Sequence, residues 1–231
     1  MIDWAWALDH LDDLGGRIVQ HMILALIPVA VGFVISLALA IPAARRSFLR
    51  GSLISISGVL YTIPSLALFA ALVPITGLSI LTAVVPLTLY TLLIYLRNIL
   101  AGLDGVPDDV IEAADAMGYR RRTRLTRVEL PLALPLIIGG LRLASVSTIG
   151  LVTVSGILGD RFGGLGFFIF EGYRHSFPTE IAFGALPSIV LAVVVDLVLQ
   201  AVQRRLTPWA RAVRTAAPAP AIDPGRPAAW T

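Results

Sequence analysis

The sequence predicts an all-α, polytopic membrane protein with five transmembrane helices, and three observations predict it. Hydrophobic residues make up 57% of the 231 positions and charged residues only 14%, more apolar surface than a soluble domain of this size buries. A bilayer must take up the remainder. Uncharged runs long enough to cross a hydrocarbon core, which takes about 20 residues, recur along the chain. Arginine supplies all 18 basic residues and gathers after alternate runs.

The first span is expected at 20–42, inside the run 18–44, which holds no Asp, Glu, Lys or Arg. The stretch 51–96 is also free of charge and has room for two spans, at 52–73 and 78–98, because Pro74, Ile75, Thr76 and Gly77 form a turn signal between them. A fourth is expected at 135–157, interrupted by Arg142, and a fifth at 181–203, interrupted by Asp196. The segment 162–170 is too short to cross and is expected as an interfacial or partly buried external loop. Gly32, Ser36 and Ala40, spaced by four, are expected to form a close helix-packing face and nothing more.

Orientation follows from arginine placement. Arg45, Arg46 and Arg50 follow the first span, Arg97 and Arg120, Arg121, Arg122, Arg124 and Arg127 follow the third, and Arg204, Arg205, Arg211 and Arg214 follow the fifth. These regions are expected in the cytoplasm, with the N-terminus outside and the C-terminus inside. The opposite side holds Arg17, Arg161 and Arg174. Residues 1–19 are expected to be an extracytoplasmic segment; Asp3, Asp9, Asp12 and Asp13 precede Arg17, the reverse of a secretory leader, so the first apolar run is expected to stay in the mature protein. Residues 207–231, rich in Ala and Pro towards the end, are expected to be a disordered cytoplasmic tail.

The longest cytoplasmic connection, within 103–134, reads as a folded element. Pro107, Asp108 and Asp109 suit a helix N-terminus, and Gly118 suits its stop. A second short helix is expected at 121–129, ended by Pro131, and the pair is expected to lie on the membrane surface. Glu112-Ala113-Ala114, then Gly118, then Val128-Glu129-Leu130-Pro131 resembles the EAA loop of ABC importer permeases, with Val128 where Ile is usual. A basic loop touching lipid headgroups is the alternative. The resemblance implies a type I ABC importer permease-like fold and a loop that docks on a separate cytoplasmic ATP-binding subunit through Glu112, Ala113, Ala114, Gly118, Leu130 and Pro131. It also implies an extracytoplasmic substrate-binding protein and a second permease subunit, identical or related. No GxxxxGK[ST] loop occurs, so the chain is expected to be no ATPase itself, and no cofactor, metal or nucleic acid is expected.

The likeness extends to Tyr61-Thr62-Ile63-Pro64-Ser65-Leu66-Ala67-Leu68-Phe69, to Leu130-Pro131-Leu132-Ala133-Leu134-Pro135 and to Arg204-Arg205-Leu206-Thr207-Pro208. Together these resemble permeases for glycine betaine, choline, carnitine and related osmoprotectants, in the bacterial cell membrane. The stretch 154–166 departs from that pattern by its Asp160-Arg161 pair. Pro64 removes a backbone hydrogen bond in the second span, with the Thr62 and Ser65 hydroxyls near the freed carbonyls. Tyr61, Tyr90 and Tyr95 offer ring faces to a passing quaternary ammonium, or else are packing residues of a kinked helix. An importer of an amino acid or other small solute shares the EAA loop, and a secondary transporter would show repeats and more intramembrane charges. His10, His21 and His175 fall near or beyond the external ends and assemble no metal or acid–base site. The two charges inside spans, Arg142 and Asp196, fall at equal depth and are expected to pair, within the subunit or across a permease dimer, unless Arg142 snorkels to the headgroups.

Overall fold

The computed structural model describes residues 3–210, so the part of the expected tail beyond Ala210 lies outside the described residues. The described residues form helices and no strands. In order they are α1 (Trp4–Asp9), α2 (Leu11–Ala43), α3 (Ser47–Thr62), α4 (Ser65–Thr76), α5 (Ile80–Asp104), α6 (Asp108–Ala116), α7 (Arg121–Arg124), a π turn (Leu125–Glu129), α8 (Leu130–Val154), a 3-10 turn (Ser155–Leu158), α9 (Gly166–Arg174) and α10 (Pro178–Leu206). Four spans are each long and apolar enough to cross a membrane: α2, α5, the run from α7 through the 3-10 turn, and α10. A broken pair, α3 with α4, makes five when counted as one span.

Three expectations about these elements are corrected. Helix α2 begins at Leu11, not near residue 20, because Asp12 and Asp13 sit in its first turn where the helix dipole favours acids. Residues beyond the apolar run thus remain helical. The second span is not one helix over 52–73: α3 and α4 meet at 92°. Pro64 offers no N–H and pushes Ile63 into extended backbone (φ −68°, ψ 126°), which breaks the helix outright. Finally, Pro131 does not stop the short helix at 121–129; α7, the π turn and α8 run on as one. In the π turn the Leu130 N–H donates to the Leu125 carbonyl, five residues back, and the extra residue per turn lets the chain pass a proline that an ordinary α-helix would reject.

Helix α5 is the most enclosed of the spans and α10 the least. Helices α2 and α5 approach closely at Gly32, where a Cβ would stand 1.9 Å from Thr91 Oγ1, and Ser36 and Ala40 on the same face are fully buried. Tyr95 is also fully buried, edge-on to Phe33, its hydroxyl donating to the Val29 carbonyl at 3.1 Å. It is a packing residue, not a ring face open to a solute.

Tertiary polar contacts concentrate at the two ends. At one end Arg45, Arg50, Asp104 and Glu129 bring together the end of α2, the start of α3, the end of α5 and the π turn. At the other, α1 and the start of α2 meet the loop 159–165 and the start of α10: Asp3 N donates to Thr179 Oγ1 at 2.9 Å, and Trp6 packs edge-on to Phe177 and Phe183. Phe168 of α9 is buried against Phe183, so the segment 162–170 is partly helical and partly buried.

Candidate functional site

The loop between α5 and α8 is shaped by its turn. Gly118 has φ +79°, its N–H donates to the Asp115 carbonyl at 2.9 Å and the Tyr119 N–H to the Ala114 carbonyl at 3.1 Å. This pair of bonds closes a helix through a residue in the left-handed region, where glycine is favoured. Glu112, Ala113 and Ala116 are exposed on one side of α6, and Met117 beyond it is 66% exposed. Ala114, by contrast, is buried against its own chain. The expectation that Ala113 and Ala114 both face a partner is therefore corrected: at helical spacing they lie a hundred degrees apart, and the side chain of Ala114 is small so that α6 can sit on its own support. Leu130 and Pro131 are half-buried where the π turn joins α8.

That support is ionic. Glu129, 8% exposed, accepts from Arg45 NH2 at 2.9 and 3.1 Å and from Arg124 Nε at 2.9 Å, and Arg124 also donates to Asp115. The chain Asp115–Arg124–Glu129–Arg45 thus runs from α6 through α7 and the π turn to the residues that follow α2. The sequence reading missed it. Glu129 stood inside the quoted motif, and a carboxylate five residues from Arg124 in a basic segment was the available signal.

Among the residues expected to line a pathway, Tyr61, Thr62 and Pro64 are exposed, Ser65 is half-buried and Tyr90 is 5% exposed. Tyr90 donates its hydroxyl to the Ile63 carbonyl, which the extended backbone at the break turns out of the helix, and its ring meets Tyr61 edge-on at 5.6 Å. Thr62 satisfies the Val59 carbonyl at 2.7 Å. Tyr90 therefore holds the helix break, while Tyr61, 43% exposed, keeps an open ring.

Arg142 and Asp196 are brought together within the subunit: Nε to Oδ1 and NH2 to Oδ2 are both 2.9 Å, a two-pronged pair. Arg142 NH1 also donates to Gln203 Oε1 at 3.1 Å, and Gln203 Nε2 to the Pro135 carbonyl at 2.9 Å. Asp196 stands in the wall of an apolar cavity of about 600 Å³ that also involves Gly150, Thr153, Ile169 and Ser188. Arg142 and Gln203 line a polar cavity of about 460 Å³.

At the far end, His21 is fully buried, with Nε2 3.0 Å from the Ile149 carbonyl and Nδ1 accepting from the Leu165 N–H at 3.2 Å. These partners require the neutral tautomer with the proton on Nε2. Gln20 donates to the Arg161 carbonyl at 2.7 Å and accepts from the Gly164 N–H at 2.9 Å, and Arg17 pairs with Asp160. The unusual Asp160-Arg161 stretch is thus held by one turn and a half of α2.

Residues 32–212 match the family described as binding-protein-dependent transport system inner membrane component. The choline transport system permease protein OpuBB of Bacillus subtilis is 35% identical over 189 residues, 82% of this chain and 86% of the relative. The glycine betaine/carnitine/choline transport system permease protein OpuCB of the same organism is 33% identical over 82% and 86%. The osmoprotectant import permease protein OsmW of Salmonella typhimurium is 34% identical, over 88% of this chain and 96% of the relative. Among solved structures, inward-facing forms of the MetNI methionine ABC transporter share the fold: one has TM-score 0.73 at 22% identity, covering 84% of this chain and 96% of that chain, and another has TM-score 0.66 at 24% identity, covering 85% and 95%. With its several apolar spans, this chain is a multi-pass inner-membrane protein, and it belongs to the binding-protein-dependent transport system inner membrane component family.

Proposed function

We propose that this chain is the permease subunit of an ATP-driven importer for quaternary-ammonium compatible solutes such as glycine betaine, choline or carnitine. The observation that carries the substrate class is the likeness, over four-fifths or more of the chain, to permeases named for those solutes. ATP is hydrolysed on a separate cytoplasmic subunit, and an extracytoplasmic binding protein delivers the solute to two permease subunits. With α3 and α4 taken as one crossing, the five spans put the arginine-rich end in the cytoplasm and the N-terminus outside.

In this reading the exposed side of α6, with Glu112 and Ala113, docks on the ATPase, and Gly118 sets the angle at which it is presented. A push on α6 reaches the end of α2 through Asp115, Arg124, Glu129 and Arg45, and enters the membrane directly through the unbroken run from α7 into α8. The Arg142–Asp196 pair passes it on to α10. Tyr61 offers its ring to the cationic head of the solute, a contact worth about 0.5–2 kcal/mol.

The test uses inverted or reconstituted vesicles carrying the complete system. ATP-driven uptake of labelled glycine betaine, choline or carnitine is expected, with Glu112→Arg and Gly118→Val present at normal membrane levels but at least tenfold slower. Uptake of methionine with no competition from the three solutes would overturn the substrate class and leave the permease reading standing. Full transport by both variants would overturn the docking role.

A further inference from the structure

We propose that a cavity between the end of α2 and α7 is a binding site for the phosphate headgroup of an anionic phospholipid, held by Arg46, Arg121 and Arg122. The cavity has a volume of about 340 Å³ and is lined by those three arginines with Arg45, Ile41, Pro42 and Leu125. No acidic residue lines it. Arg45 is already engaged by Glu129, whereas Arg46, Arg121 and Arg122 make no ion pair or side-chain hydrogen bond among the described residues. Three guanidinium groups facing one space without a counter-ion repel one another, and a bound anion removes that repulsion.

The neighbouring cavity, about 300 Å³, shows what the chain does when it supplies its own anions: Asp104, Asp108 and Glu129 face Arg45 and Arg124 there. The arginine cavity has no such provision. Its ligand must come from elsewhere, and its chemistry selects phosphate, whose oxygens a guanidinium fork grips in pairs.

Position selects a lipid as the source. The cavity opens where α2 leaves the uncharged run 18–44, and Phe48, a few residues on, is 85% exposed, as an aromatic ring at the level of the headgroups would be. Ile41, Pro42 and Leu125 give the glycerol and first methylenes a carbon surface beside the arginines. Basic recesses between membrane helices near the bilayer surface take anionic headgroups for these reasons. An occupant here bridges Arg46, just after α2, to Arg121 and Arg122 on α7, the same two regions that Glu129 joins. Anionic lipid thereby stiffens the support of α6.

The test places the complete transporter in nanodiscs of phosphatidylcholine with phosphatidylglycerol and measures which lipid it retains, by mass spectrometry of the intact complex. The wild type is expected to retain phosphatidylglycerol preferentially. Each arginine removed, by Arg46→Gln, Arg121→Gln or Arg122→Gln, is expected to lower that preference about fivefold. The triple Arg→Lys variant, which preserves charge but not the paired grip, is expected to keep an intermediate preference, above that of the triple Gln variant, and co-purification of the ATPase subunit with each variant shows that it is folded. An unchanged preference in the triple Gln variant overturns the site. Displacement of the lipid by excess inorganic phosphate overturns the lipid as occupant, and so does an unchanged lipid preference accompanied by loss of the ATPase subunit in detergent, which would make the surface a protein-docking one.

Discussion

The two ends of the molecule are tied by different chemistry. At the arginine-rich end α6 rests on ion pairs: Asp115 with Arg124, and Glu129 with Arg124 and Arg45. At the other end the loop 159–165 is fixed mainly by hydrogen bonds between neutral groups, from Gln20 and His21 to main-chain atoms of Arg161, Gly164 and Leu165, with His21 also reaching Ile149. The ion pair that reaches this loop, Arg17 with Asp160, has its carboxylate side chain 72% exposed. Attraction between charges falls off slowly with distance, while a hydrogen bond weakens steeply once its length and angle depart from ideal. The first end can therefore shift and stay connected. The second can hold a loop in one place but cannot follow it.

The largest expected effect breaks the rigid end. His21→Leu strands the Leu165 N–H in a buried, water-poor site and removes the second bond to the Ile149 carbonyl, which costs about 1–3 kcal/mol. A lower melting temperature and faster amide exchange confined to 159–165 and its contacts are expected, with α6 unaltered. Equal acceleration at both ends would show that the two are not mechanically separate.

A smaller effect probes the ionic end. Glu129→Gln leaves Arg45 and Arg124 without their shared carboxylate, and because both arginine side chains keep some solvent access, 25% and 13%, the loss is about 1–2 kcal/mol. Uptake is expected to fall several-fold while the ATPase subunit still co-purifies, because the exposed side of α6 is untouched. Added salt sharpens the contrast: it should speed exchange in α6 and leave 159–165 unmoved. A salt effect of the same size at both ends would sink the distinction.

What could be read from the sequence follows the same division. The α6 loop announces itself because its determinants are local: Pro107, the two aspartates and Gly118 act within a dozen residues, as does the EAA spacing. The spans announce themselves by their uncharged runs. The His21 contacts reach across 128 and 144 residues and end on main-chain atoms, which carry no residue-type signal. The break at Pro64 was legible as a missing donor, but its size was not, since Tyr90, 27 residues beyond Ile63, satisfies the Ile63 carbonyl that the bend turns outward. Pro131 misled because a π turn adds one residue to a helix without any marker in composition. The inward turn of Ala114 was hidden likewise, since an alanine looks the same whether it meets its own chain or another's.

The smallest expected effect concerns Arg142 and Asp196, which belong to neither end and connect the helix that leaves α6 with the least enclosed span. Two charges in apolar helices find each other or find water, and here they do some of both: the pair is two-pronged, yet the side chains are 25% and 34% exposed. The full penalty for breaking a buried pair, about 3–5 kcal/mol, therefore does not apply. Gln203 moderates it further, since its Oε1 already accepts from Arg142 and remains after Asp196 is removed. Asp196→Asn and Arg142→Gln are each expected to cost about 1–2 kcal/mol, and the charge-exchanged double variant to recover part of that, for a coupling of about 1 kcal/mol in a double-mutant cycle of melting in nanodiscs. Gln203 cannot donate and accept in the same geometry to a reversed pair, so recovery stays incomplete. If the two single losses simply add in the double variant, α8 and α10 are joined by packing and the Gln203–Pro135 hydrogen bond, and motion entering through α7 has no ionic route to α10.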